Sequence, residues 1–410
     1  MERNTNLKEK KYMEQTFFIA AIWLLLAVVS SIIAYHLKIS MALIEICVGM
    51  FFGYIANLLG MGNSIGANSE WLKFLASSGA LLLTFLAGAE LEPEVLRKKF
   101  KEASVIGIVG FLAPFIGCSI VAYYFLKWDL RASLLAGVAL STTSMAVVYA
   151  VMLETGFNKT EFGKGILGAC FINDIGTVVA LGLIFAPFTY KTIIFIAAMV
   201  VALAILPFLS HWIRKIYAHR TAAIRTKWIT FVLFALGALA LWSGSEAVLP
   251  AYLVGIILAE FSNADKAWVG RLRTLTVGFL TPFYFLRAGT FVSIPALIYA
   301  PLIFLILLGG KVLSKILGLY PFVSMFRKET NEKWYYTLLM STGLTFGTIS
   351  ALYGYTHNII TQEQYSFLVA TVIASAVIPT LIAEKFFIPR HLLPKQVKHM
   401  LPLGDNAGEE

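Results

Sequence analysis

The chain has 410 residues, of which 59% are hydrophobic and 14% charged, with a formal net charge of +10. That composition excludes an ordinary water-soluble globule and points to a chain whose solvent is a bilayer. The positive charge would suggest nucleic acid in a soluble protein, but here the basic residues gather in short loops between apolar runs, where they signal topology.

A spanning helix needs about 20 mostly apolar residues. Hydropathy, punctuated by Gly, Pro and charge, predicts thirteen spans: 17–34, 39–59, 71–90, 104–126, 132–152, 164–187, 192–212, 228–243, 247–262, 274–293, 296–319, 335–354 and 365–387. The expected fold class is an all-α polytopic membrane protein. The first span follows a basic tail, as a signal sequence would, but no small-residue cleavage site follows it and it reads as a helix.

Alternate loops carry the Lys/Arg excess: Arg97, Lys98, Lys99 and Lys101; Arg214, Lys215, Arg220 and Arg225; Lys266, Arg271 and Arg273; Arg327 and Lys328. With Arg390, Lys395 and Lys398 in the tail, this pattern puts the C-terminus in the cytoplasm. An odd number of spans then puts the N-terminus outside, against the pull of Arg3, Lys8, Lys10 and Lys11. The longest connector, 211–227, divides the chain into two hydrophobic halves. Cys47, Cys118 and Cys170 lie inside apolar segments without CxxC spacing, which predicts small core residues rather than a disulfide or a zinc site.

The stretch "ACFINDIGTVVAL" places Asn173 and Asp174 near the middle of the sixth span. An ionised Asp at mid-bilayer costs about 2.5–3.5 kcal/mol on insertion scales, so it persists mainly where it faces protein or a wet cavity. Burial disfavours the charged form, and such a group takes up either a proton or a hard cation. Helix packing alone is the bland alternative. Asn173 cannot ionise, and it either orients neighbours through its amide or serves only an inter-helix hydrogen bond.

Two other spans carry clustered hydroxyls and glycine: Ser141, Thr142, Thr143 and Ser144 in the fifth, and Ser341, Thr342, Gly343, Thr345, Gly347 and Thr348 in the twelfth. Hydroxyls compete with the helical ladder, and glycine loosens it. Each stretch reads either as an interrupted helix or as tight small-residue packing. Their occurrence once in each half favours paired discontinuous helices around a midplane site, the pattern of an inverted-repeat transporter. The broken ends need compensating charge. Lys311 lies mid-span and is either that cation or a snorkelling side chain, whereas Lys315 is one turn nearer the expected cytoplasmic end and is read as snorkelling. Arg287, Glu90 and Glu260 read as ordinary helix-end charges, and Glu45 as facing a subunit interface or a lipid headgroup. No HExxH and no second mid-membrane Asp are present, so no intramembrane enzyme and no cofactor is expected.

These motifs together resemble the cation/proton antiporter superfamily, in its bacterial monovalent cation/proton branch with the sodium/proton exchanger fold. "IEICVGMFFG" is similar to the family's Glu-x3-Gly-x3-Gly second helix, and "LTFLAGAELE" to its Phe-x2-Gly-x-Glu third helix. "STTS" resembles the fifth-helix break, "IND" the ion-binding pair of the sixth helix and "GGK" at 309–311 the Gly-Lys of the eleventh. The resemblance implies that Asp174 carries cation and proton, with Asn173, Thr142, Thr143 and Ser144 lining the site. It further implies that Ser141, Gly343, Thr345 and Gly347 form the helix breaks and that Lys311 balances them.

The same resemblance implies a homodimer in the inner membrane of a bacterium or archaeon. Residues 1–100 would hold scaffold helices 1–3, 101–190 core helices 4–6 with the ion site, and 191–227 a linker helix and basic loop. Residues 228–294 would hold scaffold helices 8–10, 295–390 core helices 11–13, and 391–410 a cytoplasmic tail. Asn173 stands where electrogenic members have a first Asp, so counting charge on Asp174 alone gives one proton per cation. Sodium is the expected cation, with lithium or potassium as alternatives. The rival readings are potassium/proton efflux and organic-anion symport, the latter opposed by the charge of Asp174.

Overall fold

The computed structural model describes residues 2–37, 41–62, 64–89, 99–157, 160–185, 189–217, 223–244, 247–263 and 265–393. All regular structure among them is helical. The first group comprises α1 (Glu2–Leu37), α2 (Met41–Leu58), α3 (Glu70–Ala89) and α4 (Phe100–Ile120, prolonged by a π-helical turn to Phe125). Next come α5 (Leu130–Ser141), α6 (Met145–Thr155), α7 (Glu161–Phe185), α8 (Tyr190–Tyr217) and α9 (Ile224–Trp242). Then follow α10 (Val248–Ile257), α11 (Ala259–Asn263), α12 (Lys266–Leu275), α13 (Thr281–Thr290) and α14 (Ile294–Tyr299). The chain closes with α15 (Pro301–Phe326), α16 (Thr330–Met340), α17 (Thr345–Thr356) and α18 (Gln362–Phe386).

Among the described residues, nine of these helices are long and apolar enough to cross a bilayer. The remaining spans are interrupted ones: α5 with α6, α10 with α11, α12 with α13 through a π-helical turn at Thr276–Leu280, and α16 with α17. The thirteen predicted spans are thus all present. Glu90, Arg97, Lys98, Arg220, Lys395 and Lys398 lie outside the described residues.

Two boundaries depart from expectation. The tenth span begins at Lys266 rather than 274, and the eleventh is α15, running to Phe326 rather than 319. Pro321 lies inside α15. In a packed membrane helix, neighbouring groups satisfy the carbonyl that proline frees, so proline punctuates less than in water.

Two kinds of contact hold the bundle together. Where helices cross most closely they meet backbone to backbone: α2 lies on α13 through Gly49, Gly53 and Gly289, and a methyl group at Gly53 would come within 2.9 Å of Thr290 Cα. Small residues at such crossings are what lets apolar helices approach closely in lipid. Toward the middle, α18 and α3 are largely enclosed, with 61% and 67% of their most apolar windows buried, whereas α8 has 17% buried and presents Phe208 and Val200 outward.

One end of the bundle carries charge. Glu102 at the start of α4 pairs with Arg327 just beyond α15, and the guanidinium lies 5.0 Å from the Phe162 ring centroid and 5.9 Å from that of Tyr336. Tyr336 in turn donates to the Gly165 carbonyl at 3.0 Å, and His391 lies 2.8 Å from Glu332. Each partner belongs to the end where the basic loops cluster.

Candidate ion-binding site

The site is built where α5 and α16 stop. At the end of α5, Ser141 Oγ donates to the Val138 carbonyl (2.8 Å) and Thr142 Oγ1 to that of Ala139 (3.1 Å). The hydroxyls thus take up carbonyls that the ladder gives up. Thr142 is extended (φ −62°, ψ 150°), and the chain turns helical again at Met145, where Ser144 Oγ accepts from Val147 N (3.3 Å). The second break follows the same logic: Ser341 Oγ donates to Thr337 O and Thr342 Oγ1 to Leu339 O, both at 2.8 Å, before α17 begins.

The two breaks touch. Thr143 Oγ1 donates to the Met340 carbonyl (2.8 Å), and Ser144 N to Thr342 Oγ1 (3.4 Å). Gly343 faces them without a side chain, because a methyl group there would overlap Lys311 Nζ and stand 2.9 Å from Thr142 Oγ1. Gly347 makes similar room, since a methyl group there would stand 2.9 Å from the Ala139 carbonyl and 3.0 Å from Thr142 Oγ1. Thr345 opens α17, is half-buried and takes part in none of these bonds.

From α7, Asn173 Oδ1 accepts from Thr143 N (2.9 Å), and its Nδ2 donates to Ser141 O (3.3 Å). One amide side chain therefore satisfies a donor and an acceptor that the interrupted helix leaves over. Asp174, the next residue, is 1% exposed, and among the described residues no hydrogen-bond donor reaches either carboxylate oxygen.

The cations come from α15. Lys311 Nζ donates to the Thr142 carbonyl (3.5 Å), at the negative end of α5. Lys315 does not snorkel, contrary to expectation: it is fully buried and donates to Thr143 Oγ1 (2.9 Å). With α15 running from Pro301 to Phe326, both lysines straddle its midpoint, one turn apart on one face. The sequence signal was their spacing of four; the early end assigned to the span obscured it.

One further expectation changes and a second is refined. Glu45 is 1% exposed within a single chain, with Oε1 lacking a donor, so it meets neither a lipid headgroup nor a subunit partner. Its helix is pressed against α13 at Gly49 and Gly53, which leaves the carboxyl inside. Arg287 is in the last turn of α13, the helix-end position expected, but is buried there: Nε donates to the Ala67 carbonyl (2.7 Å), and the guanidinium lies 4.8 Å from the Phe291 ring centroid. Glu260 is exposed, as expected.

A buried carboxylate without donors, next in sequence to the Asn173 amide that holds the first helix break, is equipped to take a proton or a hard monovalent cation, for which oxygen ligands are preferred. The described residues contain no group of three or more His, Cys, Asp or Glu fit to hold a metal ion.

The sequence profile described as "Sodium/hydrogen exchanger, transmembrane" matches residues 24–387. A probable Na(+)/H(+) antiporter 3 of Methanocaldococcus jannaschii is 28% identical over 232 residues, which is 54% of this chain and 58% of that relative. An Enterococcus hirae Na(+)/H(+) antiporter is 26% identical over 326 residues, 75% of this chain and 83% of that one. Among solved structures, the sodium proton antiporter MjNhaP1 of M. jannaschii at pH 8 superposes with a TM-score of 0.68 at 16% identity, covering 92% of this chain and 99% of that chain.

Proposed function

The chain belongs to the sodium/hydrogen exchanger family, and on that premise we propose that it is a secondary antiporter exchanging a monovalent cation, sodium first, for protons at Asp174. The observation that carries this reading is the Asp174 carboxylate, buried and without a donor beside two crossed helix breaks. A proton and a sodium ion neutralise it equally, so the two loaded forms carry the same charge. The empty form leaves an uncompensated carboxylate, which is costly to move through an apolar seam. Loaded carriers cross and empty ones do not, which couples the two gradients.

In this reading Lys311 and Lys315 keep their protons and balance the breaks, Asn173 orders the first break, and exchange is one for one and electroneutral. Thr142, Thr143 and Ser144 line the path to the carboxylate. Helices of residues 101–190 and 295–390 form the moving core. Those of 1–100 and 228–294 form the scaffold of a homodimer in the cell membrane, with the C-terminus cytoplasmic.

The test is exchange in sealed liposomes containing a pH dye under an imposed proton gradient. Sodium, lithium or potassium is added in turn, with the unsubstituted protein and with Asp174→Asn. Dye recovery with sodium, abolished in the variant and insensitive to membrane potential, is the expected result. Recovery retained in Asp174→Asn overturns the assignment of the site. Dependence on potential overturns electroneutrality.

A further inference from the structure

Tyr252 lies on α10, outside the helices that build the ion site, yet touches two helices that carry it. Its backbone is fixed from behind: a methyl group at Gly88 of α3 would stand 2.6 Å from the Tyr252 carbonyl oxygen and 2.9 Å from Ile256 N, so α10 lies directly against α3. From that fixed base the side chain crosses to α7, where its hydroxyl donates to the Phe171 carbonyl (3.3 Å), one turn before Asp174. The ring packs tilted on Phe171, 5.7 Å between centroids, and edge-on to Phe346 in the first turn of α17, at 5.6 Å. Tyr252 and Phe171 are each 1% exposed.

One aromatic side chain therefore spans from α10 to both the Asp174 helix and the second broken helix. Any displacement of α7 and α17 along α10 must part this three-ring contact. Aromatic pairs of this geometry contribute about 0.5–1.5 kcal/mol beyond their buried area.

We propose that Tyr252 is a positioning residue that seals the Asp174 site along the seam between α10 and the helices bearing the site, its ring forming the plug and its hydroxyl fixing the ring over Phe171. The inference rests on Asp174 being the ion site.

Cys170 supplies a reporter that does not require transport, because it lies one turn before Asp174 on α7 and is fully buried. With Cys47→Ser, the full chain in sealed vesicles retains Cys118 and Cys170, whose labelling by a membrane-impermeant thiol reagent is followed by mass spectrometry. Tyr252→Ala is expected to raise the Cys170 labelling rate roughly tenfold or more, since access limits the reactivity of a buried thiol. Tyr252→Phe, which keeps the ring, should stay near the unsubstituted rate, and Tyr252→Val repeats the Ala result if that variant folds poorly.

Unchanged Cys170 labelling in both truncations overturns the proposal. So does a parallel rise at Cys118 on α4, which would mean general loosening. If Tyr252 seals Cys170 in this way yet the chain moves no cation, the antiporter reading fails and with it the ion site, while the packing role of Tyr252 on α7 stands.

Discussion

The two interrupted helices that meet at the site look alike in sequence and differ in how their breaks are held. The α5–α6 break is bound from outside: Asn173 of α7 takes Thr143 N and Ser141 O, and Lys311 and Lys315 of α15 donate to Thr142 O and Thr143 Oγ1. The α16–α17 break binds mainly itself, through Ser341 to Thr337, Thr342 to Leu339 and Thr348 to Leu344, and it meets its partner by making room at Gly343 and Gly347. Similar composition thus serves two purposes. In one case polar residues gather ligands from neighbouring helices; in the other, small residues clear space for them.

The comparison can be broken by substitutions that separate bonding from space. The largest effect is expected from Lys315→Met, which removes the buried donor to Thr143 Oγ1 and costs about 1.5–3 kcal/mol as for a hydrogen bond from a charged group; thermal unfolding in detergent reads the loss. Next is Gly343→Ala, whose methyl group must displace Lys311, an overpacking of about 1–3 kcal/mol. It should weaken apparent sodium affinity in the dye assay more than Ser144→Ala does.

Asn173→Ala strands the Thr143 N–H and should cost about 1–3 kcal/mol, again by thermal unfolding. The smallest change is expected for Thr342→Val, which removes one long contact from Ser144 N and one local bond, for about 1 kcal/mol. If Thr342→Val destabilises as much as Asn173→Ala, the two breaks are equivalent after all.

Much of this was legible because the bilayer makes apolar runs and mid-span polar residues conspicuous. Asp174, Asn173, the two hydroxyl clusters and Lys311 all stand out as polar residues in otherwise apolar segments. Lys315 did not, because the Gly-Leu-Tyr-Pro run after it read as a helix end, whereas α15 continues through Pro321. The burial of Glu45 and Arg287 was not legible for a related reason: hydropathy gives depth along the membrane normal but not the side of the helix a residue faces. That Asn173 bridges both edges of the first break is likewise a matter of rotation about α7, which a single sequence does not reveal.

The donor-free carboxylate of Asp174 also bears on thermal stability. A group completed only when cargo binds ties the folded state to the composition of the surrounding solution. An ion that binds the native chain and not the unfolded one adds about 2.7 kcal/mol to its stability at one hundred times the dissociation constant. A melting curve recorded with and without sodium therefore measures occupancy of the site in a protein that is not transporting at all.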